Sequence, residues 1–107
     1  MYINRGGGSL LKPVIQNYYP CRFRLNFEVE GGTDTHIMTD WVISSDAAKN
    51  NILHQSLHDE SNLTTFNYYV PAYKEFWISA RVYGERLGVS EWSNPYHYNS
   101  KIQCEPM

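Results

Sequence analysis

FWISARVYGERLGVSEWSNP, residues 76 to 95, decides how the rest of the chain is read. Phe76, Ile78, Ala80 and Val82 alternate with Trp77, Ser79, Arg81 and Tyr83. That period of two gives a strand one apolar, core-facing row and one amphipathic row, which a helix of 3.6 residues per turn cannot do. Gly84 and Gly88 bracket Glu85, Arg86 and Leu87, so the chain is expected to turn back through a short loop into a second extended run over residues 89–92. Pro95 removes a backbone donor and points to an edge position.

The same alternation recurs on either side. In residues 22–29, Phe23, Leu25, Phe27 and Val29 alternate with Arg22, Arg24, Asn26 and Glu28, the clearest amphipathic strand in the chain. Residues 38–45 place Thr39, Trp41, Ile43 and Ser45 on one face and Met38, Asp40, Val42 and Ser44 on the other, with Trp41 and Ile43 expected in the core. Residues 10–16 form a further strand in which Pro13 is acceptable near an edge, its missing donor facing water. A Tyr-rich turn over 17–20 follows it. Gly31 to Asp34 reads as a turn, and Asp46 as the cap of a short helical connection over 47–50. Residues 52–57, 63–69 and 96–102 supply the remaining strands.

With 107 residues the chain has room for one modest core. Nine tyrosines and 15% aromatic residues against 19% charged favour half-buried sheet faces. A formal net charge of -2 offers no basic field for phosphate, which argues against general nucleic-acid binding and against attachment to an anionic membrane. No apolar run approaches a bilayer span, and MYINRGGGSLL has no signal-peptide core, so a route other than classical secretion is expected. Residues 1–9 read as a flexible Gly-rich arm, either a native tether or an engineered joint.

Val70-Pro71 followed by Phe76, the alternating strand, the glycine turn and Ser90-Glu91-Trp92-Ser93 resembles the end of a fibronectin type III domain. The resemblance implies an all-β, seven-stranded immunoglobulin-like sandwich over residues 10–103 with a short tail at 104–107. In it Val70 stands for the leucine of a leucine-proline corner and Phe76 for the tyrosine that follows. Phe76 lacks the hydroxyl of a tyrosine corner. Phe27 falls where the family often has its core tryptophan. Ser90 to Ser93 also matches the second half of the tryptophan-serine repeat of cytokine receptors, with Val89 where a first unit would stand. Residues 36–65 look like fibronectin-type repeats of bacteriophage and bacterial surface proteins.

The candidate sites are sparse. His54 and His58 lie four apart beside Asp59 and Glu60, but on a strand that spacing is about 13 Å, too far for one ion. Solvated histidines are the default, and no metal or other cofactor is expected. Asp34, Asp40 and Asp46 lack the glycine and density of a calcium loop and read as turn and edge residues. No Gly-x-Ser-x-Gly, HExxH or phosphate loop is present, so no enzyme is expected. Asn62-Leu63-Thr64 fits a glycosylation acceptor and, more simply, a turn. Cys21 and Cys104 form either one bridge or two free thiols.

Most tyrosines are expected to pack in the sandwich, and a minority to serve recognition. The binding residues singled out are Glu85, Arg86 and Leu87 at the loop tip, with Trp77, Tyr96 and Tyr98. The expected function is a non-catalytic structural or adhesion module of a bacteriophage virion or a bacterial surface assembly, with a protein partner. The alternative is a carbohydrate-binding module that uses exposed aromatics on a surface glycan. A small metal-dependent enzyme would require His54 and His58 to converge.

Overall fold

A computed structural model describes residues 9–31, 33–70, 74–101 and 104. Among these residues every regular element is a strand: β1 Ser9–Leu10, β2 Val14–Tyr19, β3 Arg22–Asn26, β4 Val29–Glu30, β5 His36–Ser44, β6 Ile52–Asp59, β7 Thr65–Asn67, β8 Lys74–Gly84, β9 Gly88–Val89 and β10 Tyr96–Ser100. All pairings are antiparallel. One sheet runs β10-β8-β5-β6 with β9 added to β8, a second runs β2-β3-β7, and β1 with β4 makes a short ladder.

The two larger sheets pack face to face as a β-sandwich, because each contributes an apolar row from its alternating strands. Phe23 and Leu25 of β3 and Phe66 of β7 meet Trp41 and Ile43 of β5 and Phe76, Ile78, Ala80 and Val82 of β8. Trp41 and Ile43 are fully buried, on the face the alternation assigned them. The Trp41 ring stacks on Phe66 with centroids 5.2 Å apart, and its Nε1 donates to the Asn62 carbonyl at 2.7 Å. Phe23 meets Phe76 edge-on at 6.0 Å and Tyr98 at 5.3 Å. Burying rings of this size contributes more than any other single class of contact in a domain so small.

The structure corrects several boundaries. The strand expected to end at Gln16 continues to Tyr19 and turns at Pro20 and Cys21. Ser9, assigned to the arm, pairs with Glu30. Pro13 is buried in the break between β1 and β2 rather than facing water. Asp46 closes a single turn rather than a helix: its carbonyl accepts the Lys49 N–H at 3.2 Å, and its carboxylate accepts the backbone N–H groups of Asn50 and Asn51, at 3.1 and 2.9 Å. β7 is shorter than the run of alternation suggested. Phe27 lies outside the regular strand, half-buried against His36 at 4.7 Å, while Phe23 and Leu25 take the central positions. Pro71, Tyr73, Ile102 and the tail from 105 lie outside the described residues, as do residues 1–8.

Beyond β9 the chain leaves regular pairing, yet it stays bonded to β8 through two serines. Ser90 and Ser93 donate their backbone N–H groups to the carbonyls of Val82 and Ala80, at 2.9 and 2.7 Å. Their hydroxyls accept the N–H groups of the same two residues at 3.0 Å. Side-chain oxygens here stand in for the strand carbonyls that an irregular backbone turns away.

Cys21 and Cys104 form a disulfide with a Cα separation of 6.1 Å. It ties the turn before β3 to the segment after β10, and the Ser100 hydroxyl sits beside both sulfurs, 3.9 and 3.7 Å away.

Candidate functional site

The tip at residues 85–87 is held from below by Asp34, whose side chain is 1% exposed. Its carboxylate accepts the backbone N–H groups of Thr35, Arg86 and Leu87, at 2.9, 3.0 and 2.8 Å. Gly84 makes this approach possible, since a Cβ there would collide with the Asp34 carboxylate. Gly88 closes the turn at φ 80°, a conformation that favours glycine. Burial by itself would raise the Asp34 pKa, but the three N–H donors and the Arg86 charge outweigh it and lower the pKa.

Arg86 lies across the neighbouring loop, its guanidinium donating to the Thr33 carbonyl and standing 3.6 Å from Asp34. The tip is therefore latched to the loop before β5, with the Arg86 side chain still 59% exposed. Glu85 is exposed.

Two more aspartates fix other parts of the surface. Asp59 accepts from the Ser56 hydroxyl at 2.6 Å, from the Asn62 side chain at 2.9 Å, and from the backbone of Ser61 and Asn62 at 2.9 and 2.8 Å. These four donors overcome the opposing effect of burial and lower its pKa to about 2. Asn62, in the glycosylation-like triplet, is thus part of the loop closure between β6 and β7.

Asp40 is neither a turn nor an edge residue: it lies on β5, between β8 and β6, and is 1% exposed. It accepts from Arg81 Nε at 2.8 Å, from the Tyr83 hydroxyl at 2.6 Å and from the His58 backbone at 2.7 Å. Desolvation would raise its pKa, but the Tyr83 and His58 donors and the Arg81 charge lower it. In turn the bond to Asp40 raises the Arg81 pKa, and burial together with the same carboxylate raises that of Tyr83.

Val42, Ser44 and Ser79 are also buried on the outer row of β5 and β8. Trp92 meets the Arg81 guanidinium 4.5 Å from its ring centroid and Lys49 Nζ at 5.0 Å. Such contacts contribute about 0.5–1 kcal/mol each at an exposed site.

The other expected binding residues divide. Tyr96 and Tyr98 point into the sandwich, packing edge-on against Phe23 at 6.2 and 5.3 Å. The Tyr98 hydroxyl also accepts the Cys21 N–H at 3.2 Å. Their rings are occupied by packing. Trp77 stays half-buried on the outer face against His97, with ring centroids 4.6 Å apart, and His97 pairs with Glu75 at 2.7 Å. His54 and His58 do not converge. Both are exposed: His54 stacks on Tyr68 at 5.5 Å, and His58, at φ 52°, lies against Tyr83 on the opposite face at 5.2 Å. Among the described residues no three His, Cys, Asp or Glu side chains gather as a metal would need.

The latches at Asp34, Asp40 and Asp59 were missed in the sequence. An acid beside a glycine turn is a weak signal, and the Asp40–Arg81–Tyr83 cluster exists only once β5 and β8 pair in the register Asp40↔Arg81.

No family model matches this chain, and no curated protein matches it. Among solved structures it is similar to the crystal structure of Streptomyces avermitilis α-L-rhamnosidase complexed with L-rhamnose, with a TM-score of 0.53 and 17% identity over 88% of this chain. The matched part is 10% of that protein's length, and at this identity the likeness is one of fold.

Proposed function

We propose that this chain is a non-catalytic presentation module with the fibronectin type III arrangement, serving a bacteriophage virion or a bacterial surface assembly by holding loops and strand edges toward a protein partner. For the arrangement, support comes from the strand order. If the interrupted strands are joined, β1 with β2, β3 with β4 and β9 with β10, seven lines remain, in sheets of three (β2-β3-β7) and four (β10-β8-β5-β6). The Val70, Phe76 and Ser90 to Ser93 resemblance fits that order.

For the function, the supporting observation is that Asp34, Asp46 and Asp59 each use their carboxylate oxygens to close a loop. That gives a rigid scaffold with pre-ordered loops, the property that recognition surfaces draw on. It also leaves these acids as acceptors with lowered pKa values, ill suited to act as general bases near neutral pH.

A second reading, carbohydrate binding, rests on Trp77. Its partly open ring beside His97 and Glu75 offers an apolar face with polar groups at its margin.

The test is to immobilise the disulfide-intact domain and challenge it with the polypeptides encoded beside it in its genome and with a panel of bacterial surface glycans. Capture of a virion or surface polypeptide, weakened by a loop or edge variant that melts normally, supports the main reading. Glycan retention abolished by Trp77→Ala supports the second. Turnover of aryl glycosides by the purified domain would overturn both.

A further inference from the structure

In the β2-β3-β7 sheet, alternation turns Ile15, Phe23, Leu25 and Phe66 inward and leaves Val14, Gln16, Arg24, Asn26, Thr65 and Asn67 on the exposed side. The pairing of β2 with β3 loses register between Asn17 and Tyr19. Strict alternation would turn one of two successive residues inward, but at this irregularity both Tyr18 and Tyr19 stay outside, 41 and 59% exposed. The Asn17 amide pins the place by donating to the carbonyls of Tyr19 and Arg22, at 2.7 and 2.9 Å, and Cys21 beside it is buried in the disulfide.

Two cations lie on these rings. The Arg24 guanidinium stands over Tyr18, 4.6 Å from its centroid, and that of Arg22 over Tyr19 at 5.2 Å. Ring contacts of this kind hold a guanidinium while leaving its N–H fork available. Among the described residues the ion pairs are Arg81–Asp40, Arg86–Asp34 and His97–Glu75, so neither Arg22 nor Arg24 has a carboxylate partner. None of the three strands contains Asp or Glu, and the face is positive in a chain whose formal net charge is -2. Tyr18 and Arg24 together wall two shallow depressions, one reaching Gln16 and Asn17 and the other Asn26, Thr64 and Thr65.

We propose that this face binds an acidic polysaccharide, with Arg24 and Arg22 taking sugar carboxylates and the Tyr18 and Tyr19 rings lying against the sugars. Charge complementarity sets the sign of the ligand, and a guanidinium fork matches a carboxylate through two parallel N–H···O bonds. The amides and hydroxyls around the two depressions suit sugar hydroxyls. Their shallowness fits a chain laid across the sheet better than a peptide anchored by a side chain in a pocket. Two cations are too few for a nucleic acid, whose binding rests on neutralising many phosphates. The face belongs to the other sheet from Trp77, and the inference depends on neither reading above.

The test is surface plasmon resonance of the disulfide-intact full chain over immobilised polygalacturonate, alginate and hyaluronate, each beside its carboxyl-reduced, neutral form. Binding to at least one acidic polymer is expected, lost on carboxyl reduction and weakened by added salt. Arg24→Gln should weaken it about tenfold or more, and Arg24→Lys, which keeps the charge without the fork, should weaken it less. Lys49→Gln removes a charge from a loop of the other sheet and should bind like the parent, and all three variants should melt like it. Polyglutamate, dextran sulfate and oligothymidylate separate a sugar acid from charge alone. The proposal is overturned by no binding to any of the three polyuronates, by equal binding to a carboxyl-reduced form, or by Arg24→Gln binding like the parent. Equal losses in Lys49→Gln and Arg24→Gln, or tighter binding to one of the non-uronate polyanions than to every polyuronate, overturn it as well.

Discussion

Replacing Asp40 by alanine tests whether the outer face of the β5–β8 pair is held by its buried carboxylate. The substitution removes the acceptor for Arg81, for the Tyr83 hydroxyl and for the His58 backbone N–H, all within 2.8 Å. Hydrogen bonds to an ionised group contribute about 1.5–3 kcal/mol each. The Arg81 side chain is 33% exposed and regains water when the carboxylate is gone, so its share is small. What remains is the Tyr83 and His58 pairing at a site with little water, which puts the expected loss at roughly 3 kcal/mol.

For a domain near this size the loss corresponds to a fall of about 12–20 °C in Tm. Asp40→Asn keeps the shape and one acceptor oxygen, so its loss should be intermediate, and Tyr83→Phe should cost about 1 kcal/mol. Urea unfolding followed by tryptophan fluorescence measures all three. Because the folded pKa of Asp40 is lowered, its contribution is full above the unfolded carboxylate value, about 3.9, and is lost as pH falls through the folded value. The parent should therefore lose more stability than Asp40→Asn on acidification through that range. A loss under about 0.5 kcal/mol for Asp40→Ala, or equal acid sensitivity in parent and Asn variant, would refute the reasoning.

Further outcomes are expected. Asp59→Ala should flatten the acid unfolding curve between roughly pH 4 and 2, since the folded value of about 2 makes its contribution vanish over that window; pH-jump melts compared with the parent check this. Gly84→Ala should lower Tm by pushing a methyl into the Asp34 carboxylate, and the double variant with Asp34→Ala should be less destabilised than the two single effects predict, measurable as a thermodynamic cycle. Reducing the Cys21–Cys104 bridge, which spans a sequence separation of 83, should cost about 4 kcal/mol in the chain-entropy account, read as a large drop in Tm with added thiol. Trp41→Ala should cost about 3–5 kcal/mol, because the side chain is fully buried and its Nε1–H is bonded to the Asn62 carbonyl.

By itself the sequence determined the class of structure and the inward rows. A period of two is a local property: once Phe76, Ile78, Ala80 and Val82 alternate with Trp77, Ser79, Arg81 and Tyr83, the wholly apolar row is the one the strand turns to the core. The same logic placed Phe23, Leu25, Trp41 and Ile43 in the core, and Gly84 and Gly88 marked the hairpin because backbone restrictions act within a few residues.

Only the tertiary structure decided the rest, since it depends on which strands meet and in what register. Asp40 becomes a buried ion-pair acceptor because β8 brings Arg81 opposite it, and Tyr96 and Tyr98 are packing residues because β10 turns them toward Phe23. Arg86 is latched because the loop carrying Asp34 passes beneath it, and Cys21 reaches Cys104 across a separation of 83 residues because two distant segments end at one place. Each of these partners lies dozens of residues away in the chain, and a periodic pattern carries information about a face but none about the strand that will lie opposite it.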